Sequence, residues 1–369
     1  MKNDFRSITE DLQALHDAVR AKWPCLTRIA VALYDDKTDL VHTFVRSSPT
    51  ITSLNHYSIE LSKVPSLQAL AESGLPRLIQ DLNAFSDSKE IYTKAIVENF
   101  KSSYTEPFYL GDNLVGFVFY DAEESNYFSE DLLTKLKSYT RLIESMIVSE
   151  VLPIKALVGM VDTTKDIIHI RDTETAKHLT RVASYVEIIA FEVAEEFDFS
   201  DEQIEYLWNY APLHDIGKVA LPDSVLLKEG RFTDDEFALM QTHVAEGLKV
   251  LEMIAHNFSF KPLRYFNLLQ DIVGSHHERW NGSGYPLGLS ANEIPPIGRV
   301  MAVADVFDAL ANKRSYRSAW PLDKVFEYFE DHSGDLFDPS CVKALLKHRA
   351  RVSYIANEYR DLDEEKKSY

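Results

Sequence analysis

Apolar residues recur at three- and four-residue intervals over positions 5–20, where Ile8, Leu12, Leu15 and Val19 share one face of a predicted helix. The period then changes. Positions 26–34, 40–45, 77–79, 106–110 and 114–120 are short runs rich in β-branched and aromatic residues, the composition of strands. Asp35-Asp36-Lys37-Thr38 and Gly111-Asp112-Asn113 lie between paired runs and predict two hairpins. Ser129, with Glu130 and Asp131 after it, reads as a helix N-cap with an acidic first turn. From there Leu132, Leu136, Tyr139, Ile143, Met146 and Ile147 hold a narrow apolar stripe. Such a stripe is the seam of paired helices, and packing onto the chain's own domain explains it equally well. Pro153 predicts an interruption of this helix, a hinge or boundary between residues 1–149 and 150–369.

Helical spacing dominates the second half. Ser200-Asp201-Glu202-Gln203 and Thr233-Asp234-Asp235-Glu236 are capping boxes. The first opens a predicted helix running into His214-Asp215, and the second a helix carrying His243. Residues 297–310 are apolar at helical spacing except for Asp305 and Asp308.

Composition narrows the classes. A chain of 369 residues, 45% hydrophobic and 26% charged, has length for two domains and apolar material for real cores. Its formal net charge of −19 argues against a nucleic-acid polymer or an anionic membrane as partner. An anionic substrate would need positive charge supplied locally. Cys25 and Cys341 are far apart and fit a reducing compartment rather than a disulfide framework. The N-terminus is charged where a signal peptide is apolar, and no stretch approaches a membrane span. A cytoplasmic protein is expected.

Candidate chemistry gathers around Leu213-His214-Asp215-Ile216-Gly217-Lys218. Adjacent residues cannot share a face within a helix, but at a helix end closed by Gly217 in a left-handed turn His214 and Asp215 can converge. Lys218 then curls back beside them. An imidazole next to a carboxylate suits a divalent transition metal; a solvated surface pair is the plainer reading. Glu174 and His178 share a helical face with Arg181 beside them, and taken singly are as well explained as a solvated carboxylate and a core histidine. His276 and His277 stand at a predicted helix end before the loop Trp280-Asn281-Gly282-Ser283-Gly284-Tyr285-Pro286, whose Gly282 and Gly284 permit positive φ. Asp305, on an apolar helix, is costly to bury unless paired or bound to a metal, and Asp308 is either a surface residue or a partner to such a ligand. His16, His42, His56, His169, His256, His332 and His348 fall outside these contexts.

The element order of residues 1–149 resembles a GAF domain, a class that often binds a small regulatory ligand; nothing in these residues names that ligand. His214-Asp215-Ile216-Gly217-Lys218, His276-His277-Glu278, Gly284-Tyr285-Pro286 and Val303-Ala304-Asp305-Val306-Phe307-Asp308-Ala309-Leu310 together resemble the HD-GYP family over residues 151–347. The resemblance implies a multidomain chain: an α+β GAF-like domain joined by a helical linker to an all-α HD-GYP domain that hydrolyses cyclic di-GMP to pGpG, or on to GMP. It implies two or three divalent ions, iron or manganese, bridged by a hydroxide. Residue by residue, His178, His214, Asp215 and Asp305 would hold one ion. Asp215 would bridge to a second, held by His243, His276 and His277, and Glu174 is where some members bind a third. Lys218 would touch the hydroxide or a substrate phosphate, Arg314 and Arg317 a phosphate, and Tyr285, framed by Gly284 and Pro286, a guanine or phosphate. Ser315 and Pro295-Pro296-Ile297-Gly298 depart from the family pattern without touching a ligand. A homodimer through the linker helix belongs to the same expectation. The alternative is a cyclic di-GMP-binding or adaptor protein that keeps its metals but turns over little.

Overall fold

The computed structural model describes residues 7–36, 38–48, 58–86, 91–167, 176–228, 230–257, 265–312 and 318–359. The chain divides into two units, Met1–Val151 and Leu152–Tyr369.

The first unit is α+β. Its elements are α1 (Ile8–Arg20), β1 (Leu26–Asp35), β2 (Leu40–Ser47), β3 (Ser58–Glu60), α2 (Pro65–Ser73), β4 (Arg77–Ile79), α3 (Ile91–Asn99), β5 (Ser102–Leu110), β6 (Asn113–Ala122) and the start of α4 (Glu130–Ile167). The six strands form one sheet in the order β3-β2-β1-β6-β5-β4, with every neighbouring pair antiparallel. Both expected hairpins are present: Asp35 pairs Leu40 across the first turn, and Leu110 pairs Asn113 across the second. β1 is buried along nearly its whole length. It therefore reads as a continuous apolar run, since both of its faces are covered. On one face Leu61, Leu67, Leu70, Ile96 and Phe100 pack against Phe117 and Phe119. Ser7 caps α1 through a capping box with Glu10, and Ile8, Leu12 and Val19 are buried.

The stripe on α4 belongs to this unit's own core. Leu132, Leu136, Ile143 and Ile147 are buried, and Thr140 bonds both the Tyr120 hydroxyl at 2.9 Å and Glu106 at 3.0 Å. The expected interruption at Pro153 does not occur, because α4 continues through it to Ile167. A proline removes one helical N–H bond and crowds the preceding turn, which a long helix can absorb as a local distortion.

The second unit is helical. It comprises the rest of α4, α5 (Ala176–Glu192), α6 (Ala194–Phe197), α7 (Asp201–Tyr210), α8 (Asp223–Leu226), α9 (Asp234–Gln241), α10 (His243–Asn257), α11 (Phe266–Ser275), α12 (Pro296–Ala311), α13 (Leu322–Asp331), α14 (Pro339–Lys347) and α15 (Arg349–Glu358). α5 is its central post: Val182, Tyr185, Val186 and Ile189 are fully buried, and it packs against α7, α12, α14 and α15. The capping boxes at Ser200 and Thr233 both form. The helix expected to carry His243 is split at Thr242, so His243 opens α10 instead. No helix among the described residues is long and apolar enough to cross a membrane.

The register of α4 is open to test. Ile143→Ala removes a buried side chain and is expected to cost about 2–5 kcal/mol, against within about 0.5 kcal/mol for Leu142→Ala next to it. Urea denaturation of the two variants measures the contrast; equal costs would place the stripe on another surface.

Candidate metal centre

His214 and Asp215 lie in a turn between two 3-10 segments, Ala211–Leu213 and Ile216–Ala220, that follow α7. Asp215 is the meeting point. Its Oδ2 lies 2.8 Å from Lys218 Nζ and 3.0 Å from His214 Nε2, while its Oδ1 lies 3.1 Å from His243 Nε2 and 3.6 Å from His276 Nε2. All four partners and the carboxylate are buried or nearly so. Burial opposes ionisation of Asp215, but the Lys218 ammonium leads the neighbours that outweigh it and hold the carboxyl well below its usual range.

Glycine brings the pieces together, though not in the expected way. Gly217 does not adopt positive φ. A Cβ there would stand 1.9 Å from the His243 carbonyl and 2.3 Å from the Gly247 amide, so it is the absence of a side chain that lets the turn seat against α10. Gly284 works the same way, since its Cβ would meet Arg279 N at 2.4 Å and Glu278 Cα at 2.5 Å; Gly282 does take positive φ, at +78°.

The rings have defined orientations. His214 Nδ1 faces the Ala211 carbonyl at 2.8 Å, His243 Nδ1 the Met240 carbonyl at 2.7 Å, and His276 Nδ1 the Ile272 and Val273 carbonyls at 3.1 Å. His178 Nδ1 meets Asp308 Oδ2 at 2.7 Å. A carbonyl accepts only, so each Nδ1 facing one carries the proton and leaves Nε2 with its lone pair. His243 Nε2 and His276 Nε2 face each other across 3.4 Å, beside the Asp215 carboxylate. With the rings neutral, these nitrogens and the carboxylate are all acceptors, an arrangement that a cation satisfies. Burial lowers the affinity of His276 and His277 for protons, which keeps the neutral, ligating form of the imidazole.

Two groups among the described residues bring ligand atoms within 4.8 Å of one another: Asp215 with His243, His276 and His277, and His178 with His214 and Asp305. His276 caps the C-terminus of α11, and Asp305 lies within α12. Tyr285 stacks on His277, with ring centroids 4.6 Å apart. Glu174, Arg314 and Arg317 lie outside the described residues.

Residues 162–341 match the HD domain family. The chain is 42% identical over 192 residues to the cyclic di-GMP phosphodiesterase response regulator RpfG of Xanthomonas campestris pv. campestris (strain 8004), covering 52% of this chain and 48% of that one. It is 37% identical over 202 residues to 3'3'-cGAMP-specific phosphodiesterase 2 of Vibrio cholerae serotype O1, covering 53% of this chain and 37% of that one. The matches thus span about a third to a half of these relatives' length. A solved GAF domain/HD domain protein from Geobacter sulfurreducens aligns with 40% of this chain and 96% of its own at 15% identity and a TM-score of 0.33. The HD domain implies divalent-metal binding, and both His/Asp groups fall within the matched residues.

The HD domain also holds supports that the linear motif leaves unassigned. Asp308 is buried, accepting from His178 and from Arg181 Nε and Nη2 at 2.6 and 2.9 Å, while Arg181 Nη1 donates to the Tyr359 carbonyl. Of the two readings open for Asp308, the surface residue is excluded: it is buried and partners His178, a candidate ligand. Glu278, equally buried, accepts the backbone N–H groups of Leu287 and Leu289 and ties down the loop bearing Tyr285. An apolar helix interrupted by aspartate four residues before an asparagine, and an arginine three after a histidine, were the available signals for the first network; the second has no local sequence signature.

Gly217→Ala is expected to destabilise the HD domain by at least about 1–3 kcal/mol, the usual cost of overpacking. Gly274→Ala is the matched control: its Cβ would meet only Leu248 methyls at 3.7 Å, so it should be neutral or stabilising. Thermal melts of both variants give the comparison.

Proposed function

We propose that the chain is a metal-dependent phosphodiesterase that opens cyclic di-GMP to linear pGpG and, by a second cut, yields GMP, under control of the first unit. The observation that carries this reading is a pair of adjacent His/Asp groups, one containing Asp215 and the other joined to it through His214, whose Nε2 lies 3.0 Å from Asp215 Oδ2. In it, His178, His214 and Asp305 would hold one ion, His243, His276 and His277 would hold another, and Asp215 would serve both. Glu174 is the candidate ligand for a third. Iron and manganese suit this mixture of imidazole and carboxylate.

When bound, such ions polarise phosphoryl oxygens and lower the pKa of water enough to make it a nucleophile near neutral pH. The chain's own residues do the rest. Lys218, fixed against Asp215, offers its ammonium to a non-bridging oxygen of the phosphate being cut. Arg314 and Arg317 anchor the phosphate that is not cut, by the bidentate geometry guanidinium favours. Tyr285 lies over His277, framed by Gly284 and Pro286, where it meets a base or phosphate of the substrate. Asp308 keeps the proton of His178 on Nδ1 and its lone pair on Nε2.

Both relatives named above carry names of cyclic-dinucleotide phosphodiesterases, one for cyclic di-GMP and one for 3'3'-cGAMP. The second name favours a further reading in which 3'3'-cGAMP is the preferred substrate, and a panel of both dinucleotides distinguishes them. Protein loaded with manganese or iron is expected to cleave cyclic di-GMP, with chelation, His214→Ala or Asp215→Ala reducing the rate to background. Tight binding without product under every metal condition would instead make the chain an adaptor. Asp308→Asn is expected to weaken metal affinity about 10- to 100-fold, read by competition with a chromophoric chelator. Unchanged affinity would remove Asp308 from the centre's support.

A further inference from the structure

α9 is an eight-residue helix with no buried side chain, although Phe237, Leu239 and Met240 are three of its residues. Phe237 is 47% and Leu239 40% exposed. The helix is nevertheless held firmly. Its N-terminus carries the Thr233–Glu236 capping box, Lys228 pairs with Glu236, and its C-terminus leads through Thr242 into His243. A rigid helix that keeps its large apolar groups at the surface is not held there by its own burial.

Phe237 stands beside the metal centre. Its ring lies 6.3 Å from that of Tyr285, at 82°, and Tyr285 in turn stacks on His277 at 4.6 Å. The three rings make a stair from a candidate ligand to solvent, and the last step leaves about half of its surface uncovered. Resting on the phosphodiesterase reading above, we propose that Phe237 is a nucleobase platform. A purine of the substrate stacks on its exposed face while the phosphate joined to it through one ribose lies at the histidines. Stacking on an aromatic face is tolerant of base identity, so the platform contributes affinity for cyclic dinucleotides as a class and leaves discrimination between guanine and adenine to other groups.

The test uses the full chain loaded with manganese. Phe237→Ala is expected to raise KM for cyclic di-GMP about 5- to 150-fold, the range for loss of one base–aromatic stack. kcat should change by less than about threefold, because a contact made equally in ground and transition states acts on KM. Metal content should not change, and Phe237→Trp should restore KM. An unaltered KM overturns the platform. So does a joint fall in kcat and metal content, which would make Phe237 a brace for Tyr285 and His277. If the wild-type chain leaves cyclic di-GMP intact, the phosphodiesterase reading fails separately. Calorimetric binding of cyclic di-GMP to wild type and Phe237→Ala then decides, weaker binding by the variant supporting the platform and equal or absent binding overturning it.

Discussion

Acceptors buried face to face set the terms for the helical unit. With Nδ1 of His214, His243 and His276 committed to backbone carbonyls, their Nε2 atoms converge on the Asp215 carboxylate over 3.0–3.6 Å. Carrying such groups out of water costs several kcal/mol apiece unless positive charge meets them. Lys218 supplies one charge from the side, and divalent ions are the natural complement at the centre. Around that requirement the scaffold is organised by helix ends: a turn after α7, the first residue of α10 and the cap of α11. Among the described residues, His178 comes from the first turn of α5, and Asp305 from the interior of α12. Helix ends free side chains from the fixed angular spacing of a helix, which is how adjacent residues such as His214 and Asp215 reach one point.

Much of this was legible because ligation demands particular residue types, and those types are rare enough to stand out. The capping boxes at Ser200 and Thr233 located helix starts from side-chain chemistry that acts over three residues. The failures share a cause. Gly217 was read for backbone freedom, whereas its role is to let the His243 carbonyl approach, a contact with residues remote in sequence. Pro153 was read as a break because a local rule says so, and α4 runs through it. His243 was placed inside a helix when it begins one, since the split at Thr242 breaks no apolar period. The pairing of Arg181 with Asp308 and the grip of Glu278 on its loop are likewise tertiary. Each is a satisfied buried charge whose partner cannot be found by spacing.

The first unit shows the same division. Its hairpins and the stripe on α4 follow from patterning, whereas the burial along β1 is seen only in the fold. β3 escaped because Ser58-Ile59-Glu60 carries a single apolar residue, whereas the equally short β4 has Leu78-Ile79. The choice between a seam with a second chain and a core stripe was also invisible in sequence. It was settled by Thr140, which joins Tyr120 and Glu106 beneath the helix. A polar residue within an apolar stripe would cost stability in an open seam, but here its hydroxyl is satisfied by the sheet it covers.

The charge balance ties the two scales together. A chain carrying −19 repels an anionic ligand at long range, so affinity for phosphate has to arise where the field is local and water is scarce. Near the centre two buried cations are already engaged: Arg181 is held by Asp308, and Lys218 by Asp215. Held this way, they fix geometry more than they add free positive charge, because each is offset by its own carboxylate. Metal ions differ in that their charge exceeds what the surrounding carboxylates cancel, as imidazole ligands contribute none. A centre built mainly of histidines thus leaves residual positive charge for a phosphodiester, while one built of carboxylates would not. The preponderance of imidazole over carboxylate in both candidate ligand groups is the feature that would reconcile an acidic protein with the anionic substrate proposed for it.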